Sequence, residues 1–298
     1  MMAKIIDGKK IAADVRNELK PRIDRLAQNG CTPRLSVILV GHDPASEVYV
    51  RMKTKACQEM GIASETIGLE ADVAQRELIG VVRSLNENRD VHGILVQLPL
   101  PPQIDEQRVL DAVDPRKDVD GFHPFNRGRL AAGDATFVPC TPLGIQELLL
   151  RSGYPPERKH VVIVGRSNIV GLPLANILVQ KRAGANATVT VCHTGTQDIA
   201  HFTRQADILV AAVGRPEFIG GDMVKQGAVV VDVGVNRVED LNSEKGYHLV
   251  GDVAFEAVAQ RAAAITPVPG GVGPMTIAML LGNTLLAAEK LCASSSIG

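Results

Sequence analysis

A tyrosine and a lysine four residues apart, Tyr49 and Lys53, are the first side chains whose types and spacing suit chemistry. On a helix that spacing puts both on one face. Val48, Met52 and Ala56 are expected to form the adjoining apolar stripe. A lysine bordering a buried face loses hydration, which lowers its pKa and suits it to carrying a proton near neutral pH. A lysine that snorkels with a tyrosine packed on its stem has the same pattern. Gln97 lies near the end of the apolar run Gly93 to Leu98, where open α/β sheets place ligands. Its amide either orients Lys53 or is a satisfied edge group. Asp120, in Lys117-Asp-Val-Asp-Gly-Phe122, either holds the ring nitrogens of a heterocycle through paired hydrogen bonds or closes an Asx turn before Gly121. Asp118 and Asp120 have no further ligand set around them, so no metal is expected.

Two glycine-bearing loops add a second kind of chemistry. Thr266-Pro-Val-Pro-Gly-Gly-Val-Gly-Pro-Met-Thr276 reads either as an ordinary loop entering a helix or as a rigid wall of a flat pocket. In the second reading Gly270 and Gly271 let the backbone approach a ligand, and Pro274 suits the first helical turn. The run His160 to Gly165 reads as a strand, and Gly165-Arg-Ser-Asn-Ile-Val-Gly171 turns it into a helix. Such a turn sets backbone N–H groups against a pyrophosphate. Ser167 replaces the middle glycine of the dinucleotide fingerprint, so the turn is either a cofactor site or a plain strand-to-helix turn. The next strand ends at Cys192-His-Thr-Gly-Thr196 with no acidic residue for a ribose 2′-hydroxyl. Arg166 is available instead and suits a 2′-phosphate, which favours NADP over NAD; its alternative is a solvated surface arginine. Gly214 and Gly234 each follow an apolar run, and either open strand ends for a nicotinamide or make tight turns.

The elements that must position these groups alternate. Helices are expected over 14–27, 43–60, 75–88 and 141–150, and from the Gly270-Gly271 loop onward. Strands are expected over 35–40, 93–98, 160–165, 188–192, 207–213, 228–233 and 264–266. Repeated strand–helix alternation implies an α/β chain with mostly parallel sheets. Residues 117–142, rich in Gly, Pro and Asn, read as an irregular domain junction, and 294–298 as a frayed tail.

At 298 residues the chain has room for two domains. A hydrophobic content of 45% supports a packed core. The net charge of -1 and aromatic content of 3% argue against a nucleic-acid surface. Cys31, Cys57, Cys140, Cys192 and Cys292 are scattered without a CxxC pair, which predicts free thiols in a reducing compartment and neither zinc nor a disulfide. The first residues carry no signal-like apolar core, and Met275 to Ala288, followed by Glu289 and Lys290, reads as a buried helix too short for a membrane span. A cytoplasmic chain without membrane contact is the expectation.

Taken together, Val40-Gly-His-Asp-Pro-Ala-Ser-Glu-Val-Tyr-Val-Arg-Met-Lys53, Gly93-Ile-Leu-Val-Gln-Leu-Pro-Leu-Pro101, Lys117 to Phe122, Pro139-Cys-Thr-Pro142, Val164 to Gly171 and Thr266 to Thr276 closely resemble the bifunctional methylenetetrahydrofolate dehydrogenase/methenyltetrahydrofolate cyclohydrolase family. The resemblance implies a folate-binding catalytic domain over 1–139, completed by 275–298, and a Rossmann-like NADP domain over 140–274. It implies oxidation of 5,10-methylenetetrahydrofolate and hydrolysis to 10-formyltetrahydrofolate, in one-carbon metabolism that supplies purine, methionine and histidine biosynthesis. Lys53 would be the catalytic lysine, tuned by Gln97; Tyr49 would pack on the substrate, and Asp120 would hold the pterin. Leu98, Pro267, Gly270, Gly271 and Thr276 would line the folate. Thr141, Gly165, Arg166, Ser167, His193, Thr194, Gly214 and Val235 would meet the cofactor. A homodimer is implied as well. Many members carry serine and then a basic residue after the corner histidine; here Thr194-Gly195 stand there.

Three rival readings remain. A related amino-acid dehydrogenase leaves the Gly270-Gly271 wall unexplained. A non-catalytic NADP-binding module leaves Tyr49, Lys53, Gln97 and Asp120 unexplained. A monofunctional dehydrogenase stays open, because a sequence does not report step rates.

Overall fold

A computed structural model describes residues 2–240, 243 and 246–295. Its strands, in chain order, are β1 (Lys4–Ile5), β2 (Arg34–Val40), β3 (Ala63–Leu69), β4 (Gly93–Val96), β5 (His160–Val164), β6 (Thr188–Cys192), β7 (Ile208–Ala211), β8 (Val229–Asp232), β9 (Asn236–Glu239), β10 (Tyr247–Val250) and β11 (Ala264–Ile265). The chain divides into two compact units. One holds Asp14–Cys140 and the stretch from Ile277 onward; the other holds the residues up to Ala13 and Thr141–Thr276.

In the first unit the sheet order is β3-β2-β4, all parallel. β2 is central and almost wholly buried, with Leu35, Val37 and Ile38 at zero exposure, which is why it reads as an unbroken apolar run. Helix Pro44–Met60 leads from β2 to β3. Asp43 caps it, accepting from Ser46 N at 2.7 Å, Pro44 opens it, and Gly61 ends it at φ 79°. Helix Gln75–Glu87 leads from β3 to β4 and lays Leu78, Val82 and Leu85 among Ile38, Ile94 and Val96.

The second unit carries a parallel sheet of order β1-β11-β8-β7-β5-β6 and the antiparallel pair β9–β10. Val162, Val164, Leu209, Ala211, Val230 and Ile265 lie in its core.

Several expectations need correction. Residues up to Ala13 belong with Thr141–Thr276 and not with the 14–140 stretch, because β1 pairs with β11 in parallel. β3 departs from the expected strands: as an edge strand it mixes half-buried and exposed positions, none fully buried, and is correspondingly polar. The 117–142 stretch holds a helix, Pro124–Ala132, started by Pro124 and ended by Gly133 at φ 86°. The first helix begins at Gly8, and the last runs from Val272 to Ser295. Ser294 and Ser295 are therefore helical, and 296–298 of the expected tail lie outside the described residues. The last helix is long and apolar enough to cross a membrane by length alone, so shortness does not argue against a span. Burial does: Met275, Leu281, Leu285, Ala287 and Ala288 have zero exposure within the protein. The expectation of five free thiols also fails. Cys31 and Cys292, separated by 261 positions, form a disulfide, while Cys57, Cys140 and Cys192 are buried thiols.

Lys117 is only 4% exposed, and its ammonium donates to the carbonyls of Leu85, Asn86 and Asn88 at 3.0, 2.8 and 2.6 Å. It closes the C-terminal end of helix Gln75–Glu87, where the carbonyls lack helical partners and a positive charge is favourable. Lys117→Met keeps the stem and leaves those carbonyls unpaired. Urea unfolding is expected to show a loss of about 2–4 kcal/mol; a change below about 0.5 kcal/mol would mean that water replaces the ammonium.

Candidate active site

Lys53 projects from the buried face of helix Pro44–Met60, among Val50, Ala56, Cys57 and Met60, and is 7% exposed. Val48 and Met52 do not form the expected stripe beside it. They are 41% and 46% exposed, because the helix turns those positions away from the sheet. The Lys53 ammonium donates to Gln97 Oε1 at 3.0 Å, and Gln97 Nε2 donates to the Leu98 carbonyl at 2.8 Å. Gln97 lies one residue beyond β4, and its backbone N–H donates to Ile38 of β2 at 2.9 Å. Its amide is therefore held at both ends and aimed at the lysine. A cis bond joins Leu98 to Pro99. Tyr49 is half-buried, and burial raises its phenol above the usual value.

The two aspartates of the 117–122 run have separate tasks. Asp118 is 4% exposed and accepts from Phe122 N, His123 N and Asn126 Nδ2 at 3.1, 2.9 and 2.8 Å. It is Asp118, then, that shapes the turn. Asp120 is half-buried; burial raises its carboxyl, while the Lys53 charge and the Cys140 thiol pull it down. Asn283 fixes the neighbouring backbone, donating to Val119 O at 2.7 Å and Val138 O at 3.0 Å. Asn283 was not singled out from sequence, although an asparagine inside so apolar a helix is a signal of a buried partner. Burial pushes the Cys57 thiol to about 12 and Cys140 well above the usual range, so neither supplies a thiolate.

In the second unit, Gly165 ends β5 at φ 132°, and a Cβ there would come within 2.2 Å of the Ala212 carbonyl oxygen. A Cβ on Gly171 would come within 2.1 Å of Gly165 O. The turn thus needs both glycines for its own packing, and helix Gly171–Leu178 starts against it. Ser167 Oγ accepts from Val170 N at 3.1 Å and serves the start of that helix. Arg166 and Thr194 are exposed. His193 is half-buried; its N–H donates to Thr196 Oγ1 at 2.9 Å, and its Nδ1 accepts from Gly195 N at 3.1 Å. A glycine-framed turn from a strand into a helix N-terminus, carrying an exposed arginine and a serine hydroxyl, fits a dinucleotide phosphate. Thr141 and Thr276 share an Oγ–Oγ hydrogen bond of 3.0 Å. A Cβ on Gly271 would meet Pro267 O and Thr266 Cβ at 2.7 Å. Its bareness therefore serves the loop's own folding, whatever else approaches it.

The sequence reading also passed over two buried carboxylates. Asp252 accepts from the successive N–H groups of Val213, Gly214 and Arg215 at 2.6, 2.9 and 3.0 Å, holding the loop after β7. Asp232 accepts from Gly234, Asp252 and Val253 N at 3.0, 2.9 and 3.0 Å. Burial pushes Asp232 up to about 7, and the nearby Asp252 carboxylate adds to this against the three N–H donors.

The family model for the tetrahydrofolate dehydrogenase/cyclohydrolase catalytic domain matches residues 6–120, and that for its NAD(P)-binding domain matches 139–292. The bifunctional protein FolD of Prosthecochloris aestuarii is 58% identical over 284 residues, covering 94% of this chain and 96% of that one. The crystal structure of bifunctional FolD from Campylobacter jejuni superposes with a TM-score of 0.91 at 48% identity, covering 97% of this chain and 99% of that one. The Trypanosoma brucei FolD, solved with NADP cofactor and inhibitor, gives 0.92 at 42%, covering 97% and 98%.

A carboxyl whose pKa rises on folding contributes stability that is complete below its unfolded value and is lost as pH rises through its folded value. Between about pH 4 and pH 7, wild-type stability is expected to fall relative to Asp232→Asn by up to about 1.4 kcal/mol per pH unit. Urea midpoints at pH 5 and pH 7 for both proteins measure this. Parallel changes in the two would show that Asp232 stays ionised throughout.

Proposed function

Because the chain belongs to the tetrahydrofolate dehydrogenase/cyclohydrolase family, we infer that it oxidises 5,10-methylenetetrahydrofolate to 5,10-methenyltetrahydrofolate with NADP and hydrolyses that product to 10-formyltetrahydrofolate. The enzyme thus serves one-carbon metabolism. The observation that supports the assignment of residues best is the Lys53–Gln97 hydrogen bond beyond the ends of β2 and β4.

The two steps ask different things of the protein. Hydride loss from the carbon bridging N5 and N10 leaves a cation shared by both nitrogens, and no proton leaves. The bound dinucleotide supplies the hydride acceptor. That step depends on orientation, which the protein provides by fixing the folate. Asp120 holds the pterin through its ring nitrogens, Tyr49 packs against the ring system, and Leu98 lines it. Thr141, Gly165, Arg166, Ser167, His193, Thr194, Gly214 and Val235 hold the dinucleotide, with Arg166 facing the 2′-phosphate.

Hydrolysis is different, because the attacking water must give up both protons, one to N5 and the other to solvent as the formyl C=O forms. Lys53 Nζ relays one of these protons from the attacking water to N5 as the C–N5 bond breaks. Gln97 acts through Lys53: its Oε1 accepts from Nζ and fixes the direction of the amine. The folate chemistry resides on the unit built from Asp14–Cys140 and the last helix, and dinucleotide binding on Thr141–Thr276. A homodimer in the cytoplasm completes the reading. The net charge of -1 supports a small-molecule partner and not nucleic acid, and the burial of the last helix supports a protein without a membrane anchor.

Lys53→Ala is expected to slow methenyltetrahydrofolate hydrolysis by about 100-fold or more while hydride transfer falls much less. Separate assays of the two steps, with products identified by chromatography, check this. Equal losses with unchanged folate binding would overturn the division of labour. Arg166→Ala is expected to lower kcat/KM for NADP by about 10-fold or more and to leave the value for NAD nearly unchanged; equal losses with both would remove Arg166 from the 2′-phosphate.

A further inference from the structure

Away from these groups, Cys31, His92 and Cys292 bring their ligand atoms within 4.8 Å of one another. Cys31 follows helix Gly8–Gln28, His92 immediately precedes β4, and Cys292 lies near the end of helix Val272–Ser295. The two sulfurs are bonded to each other. Both cysteines are half-buried, whereas Cys57, Cys140 and Cys192 are buried. We propose that Cys31 and Cys292 form a reversible dithiol–disulfide couple, seated on His92, that exchanges with low-molecular-weight thiols and disulfides of the glutathione class.

The tautomer of His92 fixes which ring atom faces the two sulfurs. Its Nδ1 accepts from the Arg34 backbone N–H at 3.2 Å, so the neutral ring bears its proton on Nε2. Nε2 lies 3.4 Å from Cys292 Sγ and 3.8 Å from Cys31 Sγ. Burial, then the charge of Lys117, lower the His92 pKa; Asp90 opposes them and Arg34 adds to them, and the net effect favours the neutral ring. An N–H aimed at sulfur stabilises a thiolate, and more so the nearer Cys292. A metal would need the lone pair of Nε2. The proton would then move to Nδ1 and meet the Arg34 N–H head-on, so the ring is set for sulfur and against a metal.

The pair is also held together without its bond. Arg22 on the first helix grips Glu289 on the last through Nε–Oε1 at 3.2 Å and Nη2–Oε2 at 2.7 Å. Leu19 packs where a Cβ on Gly282 would lie 3.8 Å away. Reduction therefore leaves the sulfurs as neighbours and allows the bond to re-form.

In oxidation, the Cys292 thiolate attacks one sulfur of the external disulfide, forming a mixed disulfide and releasing one thiolate. The Cys31 thiolate then attacks Cys292 Sγ and releases the second. Each cysteine gives up one proton, and both electrons pass to the external disulfide, which leaves as two thiols. Reduction by an excess of that thiol reverses each step.

The test equilibrates the full-length protein with graded mixtures of reduced and oxidised glutathione. It is then quenched with an alkylating agent, and the modified cysteines are read by mass spectrometry. The expected result is a single transition in which Cys31 and Cys292 lose alkylation together and the protein becomes lighter by two hydrogens. Cys31→Ser is expected to abolish the change. In a thermal scan the oxidised protein is expected to unfold about 5–10 °C above the reduced one. His92→Asn is expected to slow the exchange and move its pH profile to higher pH, which a merely structural histidine would not do. Alkylation of both cysteines at every ratio would overturn the proposal. So would a bond that persists in excess glutathione, or a reduced protein that holds one equivalent of zinc and resists oxidation.

Discussion

A parallel strand whose successors are laid on opposite sides leaves a crevice beyond its C-terminal end, because the two connections diverge there. This constraint occurs in each unit. β2 is followed by β3 on one side and β4 on the other; β5 is followed by β6 on one side and β7 on the other. The helix after β2 carries Lys53, the residue after β4 is Gln97, and Gly165 terminates β5. The chemistry-bearing groups therefore stand where the backbone makes room for a ligand. They are held by elements whose own stability comes from apolar burial elsewhere.

Buried charge provides the precision that apolar packing lacks. Lys117, Asp118, Asp232 and Asp252 are each at most 4% exposed, and each is held chiefly by backbone groups, with Asn126 and Asn236 adding side-chain donors to Asp118 and Asp252. Removing such charges from water is unfavourable, and several directed hydrogen bonds are needed to offset it. What results is local and specific: a helix end closed by Lys117, a turn shaped by Asp118, and loops after β7 and β8 gathered by Asp252 and Asp232. Asp118 does the structural work in its run, which leaves the half-buried Asp120 beside Lys53 for a different purpose.

Much of this was legible in the residues, and the failures have physical causes. β2, β5 and β7 stand where apolar runs put them, since a strand buried on both faces writes an unbroken apolar word. β3 and β9–β10 escaped notice because edge strands and exposed hairpins carry mixed polarity. Asp43, Pro44 and Gly61 announced a helix correctly, yet Val48 and Met52 proved exposed, since a stripe of three residues does not fix which way a helix face turns. The Lys53–Gln97 pairing could be anticipated from strand-end position. The Cys31–Cys292 bond could not, because 261 intervening positions hide it. Asp232 and Asp252 read as ordinary polar residues until their backbone donors were seen.

The way the chain is shared between its units bears on how a ribosome delivers it. One unit needs Asp14–Cys140 together with the segment from Ile277, and the other needs the first thirteen residues together with Thr141–Thr276. β1 is synthesised long before its partner β11 and finds it only when Ala264–Ile265 emerge. The unit that carries Lys53 waits longer still, for the helix that brings Asn283 to the carbonyls of Val119 and Val138. Neither unit is a contiguous stretch of message, so each is completed only after a long intervening segment has been translated. Until then the nascent chain must keep a nearly finished apolar sheet from its neighbours.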